Sequence, residues 1–182
     1  MRGRVNLSRL RLIRGVLLVA DSADAPLTFI FQRTARQLAA LESIAKAWHS
    51  GPEQFWGYES VLSALSRPGS LLLFAAESAD ALVWSGAALV DVGPFSADLL
   101  YIYVRPEDRT KTIGRFLMDR VFQELAAKKE VEALFLEVRL SNVSAQKLYQ
   151  KLDMELIGTR KRYYANGEDA LIYKASFEET RG

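Results

Sequence analysis

The chain of 182 residues contains no cysteine and a single histidine, His49. The first absence excludes disulfides, thiolate metal sites and cysteine nucleophiles together. The second excludes a metal centre built on several histidines. Long apolar runs are also missing, and none approaches the roughly 18 residues of a membrane span. Residues 15–25, "GVLLVADSADA", follow a block of Arg2, Arg4, Arg9, Arg11 and Arg14 and superficially suggest a secretion signal. The apolar run Val16–Ala20 is too short for that, since an h-region needs roughly 7–15 residues. The net charge of +2 does not by itself predict nucleic-acid affinity. What remains is 49% hydrophobic and 25% charged, the composition of an ordinary globular domain with a real core. The lack of cysteine is compatible with the cytoplasm, which is the expected location.

The chain then reads as alternating elements. "LTFIFQR" (27–33) predicts a strand, and a helix follows from about Ala35 to Trp48. Ser50, Pro52 and Glu53 form a capping-box pattern that opens a second helix. "SLLLFAAES" and "ALVWSGAALVDVG", separated by Ala79 and Asp80, predict a hairpin, and "DLLYIYVRP" a strand stopped by Pro106. A helix from about Thr112 to Lys128 carries Ile113, Leu117, Val121, Phe122 and Leu125 on one face. "VEALFLEVRL" predicts a buried strand and "VSAQKLYQKL" a short helix. The end, "ELIGTRKRYYANGEDALIYKASF", predicts two strands joined at Asn166-Gly167, the strongest short hairpin signal. The outline implies an α/β (α+β) fold with a mixed sheet flanked by helices. Residues 27–178 read as one domain, and residues 1–26 as a basic extension, either an extra edge strand at 16–20 or a disordered arm able to touch RNA.

Two segments carry chemistry. In "VRPEDRTKTIGR" (104–115) a strand gives way to a long helix whose first amides are free and partly positive. Such a turn suits a phosphate. Arg109, Lys111 and Arg115 add formal charge, and Gly114 permits close approach of backbone or ligand. The Walker ending and the Gly-x-Gly-x-x-Gly fingerprint are both missing, and a basic, solvated helix start is the plain alternative. The second segment is the strand-to-helix corner flanked by Glu137 and Tyr149, neither of which packing requires. Taken singly, Glu137 reads as a surface residue paired with Arg139 or a neighbouring basic side chain, and Tyr149 as a core residue with a wet hydroxyl.

Arg109–Gly114, "LEVRLSN", "KLYQKL", "TRKRYY" and "NGEDALIYK" in this order resemble the GNAT superfamily of acetyl-CoA-dependent N-acetyltransferases. The likeness is strong over roughly residues 97–175, looser over 28–96, and does not extend to the first 26 residues. It is closest to the RimI-type branch, which acetylates the N-terminal α-amine of a ribosomal protein. The resemblance implies a GNAT fold in which two parallel strands splay apart and the pantetheine arm of acetyl-CoA lies in the gap. Backbone groups of Ile102, Tyr103 and Val104 would bond that arm, with an amide near Val104 polarising the thioester carbonyl. Arg109, Thr110, Lys111, Thr112, Ile113, Gly114 and Arg115 would hold the pyrophosphate. Asn142 matches a cofactor-contacting position, although a helix cap explains it equally. Glu137 matches the branch's general base and Tyr149, twelve residues on, its general acid. Trp48, Tyr163 and Tyr164 would line the acceptor pocket, near His49, Phe55 and Trp56, which no motif positions. No metal is implied.

Thr112 departs from the pattern, standing where the family has its first loop glycine. The expectation here is a backbone already helical at that residue, which tolerates threonine; the alternative is weakened cofactor binding. The implied partner is a protein or peptide N-terminus, a ribosomal protein for the branch, with no membrane and with direct nucleic-acid contact allowed but not required. The alternatives are a GNAT acting on a small amine or antibiotic, a non-catalytic CoA-binding module, and an RNA-associated protein using the arginine arm and residues 160–162.

Overall fold

A computed structural model describes residues 11–13, 16–19, 27–31, 63–64, 67, 69–76, 84–109 and 112–177. The two helices expected between 35 and 65, with Trp48, His49, Phe55 and Trp56, lie outside the described residues except for helical residues 63–64, and Thr110, Lys111 and the Ala79–Asp80 connection lie outside them as well.

The strands are β1 (Arg11–Ile13), β2 (Val16–Val19), β3 (Leu27–Phe31), β4 (Ser70–Ala76), β5 (Trp84–Val92), β6 (Ser96–Val104), β7 (Ala133–Arg139), β8 (Glu155–Arg160) and β9 (Ala170–Ser176). Helix α1 (Ile113–Ala126) joins β6 to β7, and α2 (Val143–Lys151) joins β7 to β8. Among the described residues the strands form one sheet in the order β1-β2-β3-β4-β5-β6-β7-β9-β8. Every neighbouring pair is antiparallel except β6 and β7, which are parallel and require the crossover that α1 supplies. Residues 16–19 thus form a strand, paired with β3, and the basic segment adds a further short strand at 11–13.

The sheet's one functional irregularity sits in β6. Its register with β5 runs Leu89↔Tyr101 and then Val90↔Leu99, so Leu100 is an extra residue on β6. Such a bulge bends and twists its strand. Pairing of β6 with β7 ends at the same level, with Leu99↔Leu136 as the last partners. Beyond it β6 continues to Val104 against β5 alone, and a wedge opens toward β7.

Alternation on β7 turns Leu134, Leu136 and Val138 into the core with Ile113, Leu117, Met118, Val121 and Leu125 of α1. Phe122, expected on the same helix face, is only partly buried and meets the Phe177 ring edge-on at 6.1 Å. Edge strand β8 is the opposite case, with Leu156 and Ile157 exposed.

Asn166-Gly167 lies, as expected, in the connection that joins the antiparallel pair β8 and β9, and that connection is long. Nine residues, 161–169, separate β8 from β9. Inside them Tyr164 accepts from the Gly167 amide at 2.7 Å and donates to the Glu168 carbonyl at 3.1 Å. That is the bonding of a three-residue loop closed by a bulge, and it requires the positive φ of +82° that Gly167 adopts.

Gly86, opposite Val104, sets how closely α1 rides on the sheet. A Cβ there would lie 2.8 Å from the Tyr103 carbonyl oxygen and 3.0 Å from Ile113 Cγ2. Gly86→Ala should therefore lose roughly 1–3 kcal/mol of stability. Thermal denaturation should register this as a fall in Tm of roughly 2–12 °C; an unshifted transition would show that α1 can ride higher without loss.

Candidate active site

The wedge is a slot through the sheet, so groups from both faces reach it. A cleft of about 130 Å3 is lined by Ile102 of β6, Glu137 of β7, and Asn142, Ala145 and Tyr149 of the α2 segment. Glu137 points away from the helices by strand alternation, whereas Tyr149 enters from α2. Tyr149 is 3% exposed and lies 5.6 Å from the Tyr173 ring, centroid to centroid. Burial, then the neighbouring Tyr164 and Tyr173, drives its pKa well above the ordinary phenol value, so its proton is retained throughout the neutral range.

On the sheet face away from the helices, a larger cavity of about 330 Å3 also borders Glu137, together with Asp98, Arg160, Tyr163 and Tyr164. Glu137 Oε1 is 2.9 Å from Arg160 Nε. The Tyr163 hydroxyl donates to the Glu137 carboxylate, which raises the pKa of that tyrosine ahead of its partial burial. Tyr164 is pushed up to about 12, mainly by burial, against the lowering effect of Arg139.

The tyrosine loop is tied to the end of β7. Arg139 stacks over the Tyr164 ring at 3.9 Å and pairs with Glu168 at 2.8 Å. Glu168 also accepts from the Ser141 amide at 2.7 Å. Hydrogen bonds from Ser141 and Arg139 hold the Glu168 carboxyl at about 2. Arg139, one of the partners the surface alternative offered Glu137, serves this clasp, and the basic side chain beside Glu137 is Arg160.

The cofactor positions divide. Ile102, Tyr103 and Val104 lie where β6 has lost β7 as a partner. Arg109 Nε donates to the Val104 carbonyl at 3.3 Å. The turn before α1 is braced by Arg105, whose Nε donates to buried Asp108 at 2.9 Å. Arg115 is bound to Asp119, at 3.0 Å to each carboxylate oxygen, and reaches the Lys151 carbonyl at 3.4 Å, so its charge is shared with the helices. Ile113 is a core side chain. Gly114 makes room for packing, since a Cβ there would meet Leu148 of α2 at 3.3 Å. Asn142 caps α2, its Oδ1 accepting from the Ala145 amide at 3.1 Å, and lines the cleft as well.

The expectation of helical backbone at Thr112 is corrected. Thr112 has φ 59° and ψ 10°, the left-handed region, as the residue before α1. Left-handed backbone costs an L-residue with a Cβ roughly 1–2 kcal/mol, so threonine occupies a glycine's conformation here under strain.

Residues 38–154 match the description Acetyltransferase (GNAT) family, and the chain belongs to that family. Its members use acetyl-CoA. The Escherichia coli K12 ribosomal protein bS18-alanine N-acetyltransferase is 36% identical over 88 residues, which is 47% of this chain and 59% of that protein. A Bacillus subtilis protein provisionally given the same name is 44% identical over 84 residues, 46% of this chain and 55% of the relative. The matched part thus spans little more than half the length of these curated relatives. The crystal structure of the ribosomal-protein-S18-alanine N-acetyltransferase from Escherichia coli superposes with a TM-score of 0.68 at 27% identity, covering 83% of this chain and 94% of that one. The NatC complex bound to Gag peptide and CoA shares the fold, with a TM-score of 0.70 at 15% identity over 83% of this chain and 99% of that one. No helix among the described residues is long and apolar enough to cross a membrane.

Sequence reasoning missed Arg160 as the partner of Glu137, Asp98 in the cavity, and the Glu168 clasp; only Glu168 had a signal, its place in the quoted "NGEDA" run.

The clasp predicts a pH signature. Because folding lowers the Glu168 pKa from 4.5 to about 2, its stabilisation is fully present above pH 4.5 and is lost as pH falls toward 2. The Tm difference between wild type and Glu168→Gln should be widest near neutrality and close over that acid window; a gap constant down to pH 2 would show that the clasp does not depend on the charge.

Proposed function

We propose that this chain transfers the acetyl group of acetyl-CoA to the N-terminal α-amine of a protein, with a ribosomal protein as the target and the cytoplasm as the compartment. Glu137 is the general base and Tyr149 the general acid. The observation that carries this reading is the slot between β6 and β7, which brings a carboxylate and a buried, protonated phenol from opposite faces of the sheet to one cleft. The printed names of the bS18-alanine N-acetyltransferases and of an N-alpha-acetyltransferase from Saccharolobus solfataricus, 38% identical over 71 residues (39% of this chain, 42% of that one), support the choice of acceptor.

The residues fit the cosubstrate. Past Leu99 the β6 edge facing β7 has lost its strand partner, so Ile102, Tyr103 and Val104 can offer backbone groups to the amide-bearing pantetheine arm. The first amides of α1 and of Thr112 before it suit the pyrophosphate, with Arg109 near that helix start; Thr110 and Lys111, which the resemblance adds, lie outside the described residues. Asn142 borders the same cleft.

Acyl transfer needs an uncharged amine, a stabilised oxyanion and a proton for the departing thiolate. An α-amine titrates at about 7.7–8.0, against about 10.4 for lysine, so near neutrality a carboxylate has little work to do. Glu137 accepts the ammonium proton, the amine attacks the thioester carbonyl polarised by backbone near Val104, and the Tyr149 hydroxyl protonates the sulfur as it leaves. Tyr163 and Tyr164 border the cavity in which the acceptor would lie, and Trp48, which the family resemblance adds to that pocket, is outside the described residues.

Wild type and Glu137→Gln should be incubated with acetyl-CoA and a mixed library of unblocked peptides, and the products read by mass spectrometry. Acetyl should appear on α-amines, with turnover falling roughly 100-fold and its rise with pH flattening in the variant; a library without acetyl after exposure to wild type would refute the acceptor assignment. Tyr149→Phe should lower kcat by roughly tenfold or more while leaving the acetyl-CoA Kd in place. Equal turnover would remove Tyr149 from the mechanism.

A further inference from the structure

Three carboxylates meet on the open face of the sheet at the head of the wedge: Asp91 of β5, Asp98 of β6 and Glu137 of β7. Asp91 and Asp98 are direct cross-strand partners, where like charges repel. Asp91 is compensated by Arg67, and Glu137 by Arg160. Among the described residues the charges felt by Asp98 are those of the other two acids. Partial desolvation, then Asp91, then Glu137, hold its pKa above the ordinary carboxylate range. Asp98 is itself exposed on that face, so an incoming group can reach it.

The position of Asp98 is specific. It lines the 330 Å3 cavity beside Glu137 and Arg160. Parallel register sets it level with Phe135, two residues before Glu137 on the same face, and one pair before the strands part. Two residues advance about 6.6 Å along a strand and the neighbouring strand lies about 4.8 Å away, so the two backbones stand about 8 Å apart. Side chains leaning from both can bracket one ammonium group.

We propose that Asp98 is the docking carboxylate for the protonated amine of the acceptor: the ammonium pairs with Asp98 on entering the cavity and then gives its proton to Glu137. This rests on the α-amine reading above. The incoming cation supplies the charge that Asp98 lacks, whereas Glu137 in the empty cavity already faces the Arg160 guanidinium. Asp98 therefore sets a preference for acceptors that arrive as cations, and it does so at the mouth of the slot where the thioester is attacked. It acts on binding, while Glu137 acts on the proton.

The test is steady-state acetylation of an unblocked peptide beginning with alanine, by wild type and Asp98→Asn, with an acetyl-CoA titration alongside. The substitution keeps the shape of the side chain and removes a repulsive charge, so the fold is retained. The peptide KM should rise about tenfold, as expected for loss of a charged contact, with kcat and the acetyl-CoA Kd unchanged. Added salt should raise the wild-type KM and barely affect that of the variant. An unchanged peptide KM, a loss confined to kcat, or the same salt dependence in both proteins would overturn the docking role while leaving α-amine acetylation standing. Failure of wild type to acetylate the peptide's α-amine would overturn both.

Discussion

Everything distinctive about this protein depends on β6 and β7 ceasing to pair after Leu99 and Leu136. A parallel pair in the middle of a sheet ordinarily satisfies its backbone groups along its whole length. Here the extra residue Leu100 re-aims β6 while β5 continues to hold it as far as Val104, so the strand is bent without being released. The result is a rigid edge in the interior of a sheet, open to an extended ligand. Because the gap passes through the sheet, side chains from both faces become neighbours, which an intact sheet forbids.

That constraint divides the labour of the surrounding residues. The helix side supplies a dry, closely packed wall in which Tyr149 keeps its proton by burial. The open side supplies charge, with Asp98, Glu137 and Arg160 around a cavity. The loop after β8 closes the arrangement, and the Arg139–Glu168–Ser141 clasp fixes it to β7 instead of leaving it to the nine-residue connection. Among the described residues strain is stored at Thr112, where α1 starts, and in the same left-handed region at Asp153 and Arg162.

How far the sequence could be read follows from how local each feature is. The alternation of Leu134, Leu136 and Val138, the helical spacing from Ile113 to Leu125, and the twelve-residue separation of Glu137 and Tyr149 are properties of short windows, and all were legible. Arg160 meets Glu137 only through the pairing of β7 with β9 and β9 with β8, and Asp98 only through a parallel register set across α1. No local pattern encodes those contacts. Thr112 failed differently: it lay in the expected turn, but in the left-handed region and not in the expected helical backbone, whereas Asn166-Gly167 does join β8 to β9, through a loop whose length no dipeptide specifies.

Edge strand β8 has a consequence beyond the site it borders. It exposes Leu156 and Ile157 beside unpaired backbone groups, the composition from which strands of separate molecules add to one another. Arg160, Lys161 and Arg162 at its end oppose such docking by like-charge repulsion between copies, even though Arg160 and Lys161 also engage Glu137 and Asp169. Arg160, which borders the cavity, therefore belongs to the same basic run that opposes strand addition at this edge.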